Sequence, residues 1–147
     1  MAGAMTNYLE NKMIDFVLRG QALNFPPNLY VGLYTTPTNE SGGGAEVVGS
    51  GYARVTISRS LLTWAGTQGV GTTNPSDGTS GTTSNNSVIT FSDPLEDWGT
   101  VVDLAIMDSA TGGNMLYYAH LAIPKTIHAG DSAPSFQPAD ITISIDS

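Results

Sequence analysis

Apolar residues near the start of the chain recur at helical spacing. Leu9, Met13, Phe16 and Val17 stand at i, i+4, i+7 and i+8, which gathers them on one face of a helix. Asn7 is placed to cap the first turn, with Glu10 reaching back from three residues on, as in a capping box. Arg19 suits the negative end of the helix dipole, and Gly20 offers the left-handed stop. The spacing predicts a helix over about residues 7–19, with its apolar stripe packed on the parent sheet.

After Pro26-Pro27 the period changes to two. Leu29, Val31 and Leu33 alternate with Tyr30, Gly32 and Tyr34, and Ala53, Val55 and Ile57 alternate with Tyr52, Arg54 and Thr56. Both runs read as strands. The stretch between them carries Pro37 and Gly42-Gly43-Gly44 and reads as a flexible connection. Further on, residues 88–91 form a short strand and residues 100–108 a longer one, with Val102, Leu104 and Ile106 on one face. The cluster Asp108 to Asn114 turns the chain into a return strand from Met115 to about Ile123, where Pro124 breaks it. Ile141, Ile143 and Ile145 alternate in a last strand. Seven or so short strands between turn signals predict a mainly β domain, an antiparallel β-sandwich with one N-terminal helix.

Residues 66–87 stand apart. They are almost wholly Gly, Thr, Ser and Asn, with Val70 as the only aliphatic side chain, and cannot form a core of their own. Such a loop is either mobile or ordered by a neighbour, and loops of this length are often functional.

Composition narrows the function classes. The 147 residues fit one domain, 1–147, large enough to bury a core without the cysteines it lacks. Thirteen acids against five bases leave a net charge of −8 with no basic cluster. That repels phosphate backbones, so nucleic acid is not an expected partner. Only 12% of residues are charged, and the neutral polar remainder suits a surface that docks on protein. The segment Met1-Ala2-Gly3-Ala4-Met5 lacks the basic start and apolar stretch of a signal peptide. No apolar run approaches the ~20 residues needed to cross a bilayer. The expectation is a soluble protein, with no membrane partner, that does not use the general secretory route.

Candidate chemistry is sparse. Asp93, Glu96 and Asp97 crowd oxygen ligands together, but without the spacing and glycine of a calcium loop they read as a turn shaped by Pro94. Asp103 and Asp108 lie five apart on one strand and point to opposite faces. Gly49-Ser50-Gly51 falls short of a nucleophile elbow. His120 and His128, without a third ligand type at metal spacing, do not define a metal site, and His120 reads as a partly buried, hydrogen-bonding strand residue. Tyr30, Tyr34, Tyr52, Tyr117, Tyr118, Trp64 and Trp98 could line a sugar platform, yet aromatics mostly fill strand-built cores. No catalytic residue, metal site or cofactor is expected, and an enzyme is not.

Several runs carry a resemblance: Asn7 to Gly20, Leu29 to Thr35, Gly51 to Val55, Ile89 to Phe91, Asp97 to Val101, Ala105 to Asp108, Thr111 to Tyr117, Pro124 to Ile127 and Ile141 to Ile143. In that order they resemble a family of small tailed-phage virion proteins. The chain departs from it at Gly66 to Ser87, where members typically have a shorter connection. Members look like tail-fibre or capsid decoration (cement) proteins, which implies a particle component without catalytic residues. On this resemblance the expected role is a capsid cement protein of the virion, assembled in the host cytoplasm. It would bind the major capsid protein and copies of itself, as a trimer about a threefold axis. A tail or tail-fibre-associated protein, contacting a receptor, is the alternative. The residues expected at the partner contact are Thr72, Asn74 and Asn85 in the long loop, with Met5 and Thr6 in the N-terminal arm.

Overall fold

The computed structural model describes residues 2–145. Chain order is β1 (Ala2–Met5), α1 (Asn7–Arg19), β2 (Asn28–Tyr34), β3 (Val55–Ser58), β4 (Thr82–Ser84), β5 (Ile89–Thr90), β6 (Gly99–Met107), β7 (Met115–Ile127), β8 (Ser135–Phe136) and β9 (Thr142–Ser144). The expected mainly β class with one N-terminal helix is what forms. Two comparable antiparallel sheets are not. Seven strands make one curled sheet in the order β3-β2-β6-β7-β1-β9-β4, and β5 and β8 pair separately. The large sheet is mixed because β1 runs antiparallel to β7 but parallel to β9.

The N-terminal segment expected as an arm is thus an interior strand. Gly3 makes this fit, since a Cβ there would stand 2.9 Å from the Tyr118 carbonyl oxygen. Thr6, not Asn7, caps the helix. Its Oγ1 accepts from Leu9 N at 3.4 Å and donates to the Met115 carbonyl at 2.6 Å, so one hydroxyl caps α1 and fixes it to the start of β7. Gly20 closes the helix at φ 70°, the left-handed stop that the spacing predicts.

The helix stripe does not lie on the sheet as expected. Leu9 is buried and Met13 half-buried, but Phe16 and Val17 are exposed. The first turn is fixed to the body and the last two turns extend beyond it.

Strand alternation sorts the sheet into two faces. Val31, Leu33, Ile57, Leu104, Ile106, Ala119 and Ile143 join the main core, with Phe91, Trp98 and Ile141 closing over them. Tyr34, Ala105, Met107 and Met115 form a smaller cluster on the other face. A bulge between Val101 and Asp103 breaks the expected alternation in β6. Val101 thereby joins the main core, while Val102 is only half-buried. Pro124 does not end β7. The strand passes it and pairs Lys125, Thr126 and Ile127 with β6 opposite that bulge. Its other neighbour, β1, is paired only as far as Ala119. Proline, lacking an N–H, is tolerated on such an unpaired side.

Candidate functional site

The smaller face carries two polar clusters, each assembled from distant segments. Glu46 arrives on the loop after β2. Arg54 holds its carboxylate in a two-pronged pair, Nε to Oε2 at 2.7 Å and Nη2 to Oε1 at 2.9 Å. Arg54 Nη1 also donates to the carbonyls of Ser109 and Gly112 in the β6–β7 turn, at 2.6 and 2.8 Å. Tyr52 donates to Glu46 Oε2 at 2.7 Å and accepts from Leu33 N at 2.9 Å. Gly32 leaves the room: a Cβ there would stand 2.7 Å from Glu46 Oε2. A planar fork suits this four-way tie, because guanidinium donors are fixed in direction.

Burial, then the bond to the Glu46 carboxylate, pushes the Tyr52 phenol well above the ordinary 10.0. Tyr34 is raised by burial and by Glu46, and Tyr117 by burial. A phenol raised in the folded state is neutral there while its unfolded counterpart ionises. Its stabilising contribution is complete below the unfolded value and is lost as pH climbs from about 10 toward the folded value. Urea midpoints are therefore expected to fall between about pH 9 and pH 11. Tyr52→Phe flattens part of that fall, leaving the Tyr34 and Tyr117 share. An unchanged slope in Tyr52→Phe would refute this assignment.

In the second cluster Asp103 is 1% exposed. It accepts from Thr38 N and from Thr38 Oγ1, the latter at 2.7 Å, while His120 Nδ1 lies 2.8 Å from both carboxylate oxygens. Asp, His and a hydroxyl thus meet, but in the wrong order for nucleophilic chemistry. In a Ser-His-Asp site the imidazole stands between hydroxyl and carboxylate. Here Thr38 donates directly to the carboxylate. His120 is a hydrogen-bonding strand residue, as expected, though its side chain is 62% exposed.

The acidic turn stays open. Asp93, Glu96 and Asp97 are exposed, and Asp97 Oδ1 accepts from Ala129 N at 2.9 Å. Among the described residues no three His, Cys, Asp or Glu side chains gather in a way that could hold a metal. The aromatics do not form one platform. Trp98 is buried edge-on to Tyr52, its Nε1 donating to the Ser50 carbonyl at 3.0 Å. Trp64 lines a separate cleft with Leu29 and Tyr117.

The five residues expected at a partner contact are scattered. Thr6 and Asn85 are each 1% exposed and face inward. Asn85 Oδ1 accepts from Ile141 N at 3.0 Å, and Nδ2 donates to the carbonyls of Ser87 and Gln137, both at 2.9 Å. This side chain fastens the end of the long loop to β9's approach and offers nothing outward. Met5 pairs with Tyr117 inside the sheet. Thr72 is half-buried, accepting from Gly66 N and donating to the Gly69 carbonyl. Only Asn74 is exposed.

The loop itself is ordered by its own polar groups. Gly71 N donates to Asn86 Oδ1, Asn86 Nδ2 to the Thr72 carbonyl, and Gly78 N to Thr67 Oγ1. Its last residues form β4 at the sheet edge. Sequence reasoning missed what the structure exposes instead: the apolar end of α1, with Ile14, Phe16, Val17 and Leu18 open to solvent. Two of these lie on the very stripe assigned to the sheet.

A strand-built domain whose buried polar groups tie backbone to backbone, carrying the ordered runs from Asn7 to Ile143, stands among the structural proteins of tailed-phage virions. More narrowly, residues 4–144 match the family described as podophage GP4 fiber I protein gp80, and the chain belongs to that family. No curated protein matches it.

Proposed function

We propose that the protein is a fibre-region component of the phage tail, joining virion proteins through surface contact and carrying out no bond-breaking step. The observation that carries this reading is the family match over nearly the whole chain, whose description names a fibre protein. The site geometry supports it. Glu46, Arg54, Asp103, Thr38 and Asn85 all hold the fold, while the exposed face of α1 is apolar. A protein that binds the assembled particle and not its separate parts stabilises the assembly by mass action.

Head decoration, with the major capsid protein as partner, is the second reading. It is favoured by a small domain without a shaft-like repeat in its 147 residues. Quantitative mass spectrometry of purified particles separates the two. A fibre component is present at low copy number set by tail symmetry, and antibody label falls on the tail. A copy number rising with that of the major capsid protein, with label on the head, would replace the fibre reading by decoration. Turnover of a substrate lost on replacing Asp103 or His120 would end both.

A further inference from the structure

We propose that α1 of one copy of this chain docks in the apolar groove beside β7 of a second copy. At 100° per residue the apolar positions Phe16, Met13, Val17, Ile14 and Leu18 sweep an arc of about 200°, twice the stripe a surface helix needs. The opposite arc holds Lys12, Asp15 and Arg19, the last two ion-paired at 2.7 Å. Its own body covers only the Leu9 and Met13 part. Ile14, Phe16, Val17 and Leu18 are 51%, 46%, 66% and 78% exposed. Together they present roughly 450 Å² of surface, within the size range in which the largest apolar patch of a monomer is often functional.

The same chain carries a matching unfilled surface. A groove of about 380 Å³ lies between the far half of β7 and β8. Leu121, Ile123, Pro134 and Phe136 wall it, with Lys125 and Asp140 at its edge. Ile123 is 82% exposed. Helix anchors at i, i+3 and i+4, here Ile14, Val17 and Leu18, are what such a groove takes up. A copy does not fill its own groove. Thr6 fixes the start of α1 to Met115, at the other end of β7, and Leu18 stays open.

Long-range charge favours the pairing of unlike surfaces over helix against helix. α1, the segment after it and the turn after β3 bring together Lys12, Arg19 and Arg59 against Glu10 and Asp15. Arg59 belongs to this end through its bonds to the carbonyls of Phe25 and Pro26. The rest of the chain keeps two bases against eleven acids. The groove's own edge is balanced, Lys125 against Asp140, so charge acts at long range. Helix against helix would bring together two weakly positive ends, whereas the rest of the chain as a whole is acidic. Such a head-to-tail contact repeats from copy to copy, closing into a ring or continuing as a chain. The patch is small against the ~800 Å² per partner of a stable interface, so the contact is weak in solution and strong only in multiple. This inference goes beyond the fibre reading and holds for the purified chain wherever it sits in the particle.

Sedimentation velocity of the full chain across concentrations, with two variants, is the test. Val17→Gln/Leu18→Gln disables the helix and Ile123→Lys the groove. All three positions are exposed, so melting curves are expected to match the parent. The parent is expected to associate with rising concentration and each variant alone to stay monomeric. Their mixture should form a one-to-one dimer that grows no further, because one supplies a working groove and the other a working helix. A parent monomeric at the highest attainable concentration overturns the proposal. So does association that survives Ile123→Lys, which would mean that the helix binds elsewhere, or a mixture that stays monomeric.

Discussion

Asn85→Ala is expected to cost about 2–4 kcal/mol, because one buried amide satisfies three backbone groups and its loss leaves the buried Ile141 N without its acceptor. The groups are Ile141 N and the carbonyls of Ser87 and Gln137. They bind the end of the long polar loop to the turn before β9, so the damage should centre there. Asn85→Asp gives a sharper test. It keeps an acceptor for Ile141 N but turns an oxygen toward two carbonyls, and it should destabilise about as much. Urea unfolding measures both. A loss under about 1 kcal/mol for Asn85→Ala would mean that the loop is held by its internal bonds alone.

Arg54→Met is expected to cost about 3–5 kcal/mol, the range for removing one partner of a largely buried ion pair. Met keeps the apolar stem and removes the fork, so the effect reports the charge and its bonds. The Arg54 side chain is 6% exposed and that of Glu46 24%. The vacated fork also releases the Ser109 and Gly112 carbonyls. Hydrogen exchange should therefore quicken in the β6–β7 turn as well as around Glu46. Arg54→Lys should recover less than half, since one ammonium cannot reach both carboxylate oxygens and both carbonyls. Full recovery by lysine would show that charge alone matters at this position.

What was legible in the sequence follows from periodicity. The helix bounds, β2, the β6–β7 hairpin and the inward-facing Ile141 and Ile143 emerge because apolar spacing and turn residues agree locally, whereas Ile145 lies beyond β9 and is 60% exposed. Thr6 was missed as the cap because Asn7 is equally competent by type. The choice is made by the Met115 carbonyl, 109 residues away. Nothing in Ala2–Met5 announces a strand, since Ala and Gly carry little β preference. Its place is dictated by a slot between β7 and β9. Pro124 and the β6 bulge misled for one reason: both depend on which side of a strand has a neighbour. Asp103 and His120 were in reach, because counting outward from the Asp108–Asn114 turn sets them nearly opposite. Thr38 was not, for its loop crosses the sheet without any local signal. The exposed end of α1 went unread because a pattern of apolar residues records what can be buried and not by whom.

The interior position of β1 ties the beginning of the chain to its end. Gly3 faces Ala119 on one side and Ile143 on the other, so β9 and β4 join the sheet only through the first few residues. Bridging so much of the chain carries a large closure entropy, which makes such pairings late events in folding. The sheet therefore cannot be completed until Ile143 has left the ribosome. A chain cut short before Ile143 would leave the flank of β1 without its β9 neighbour.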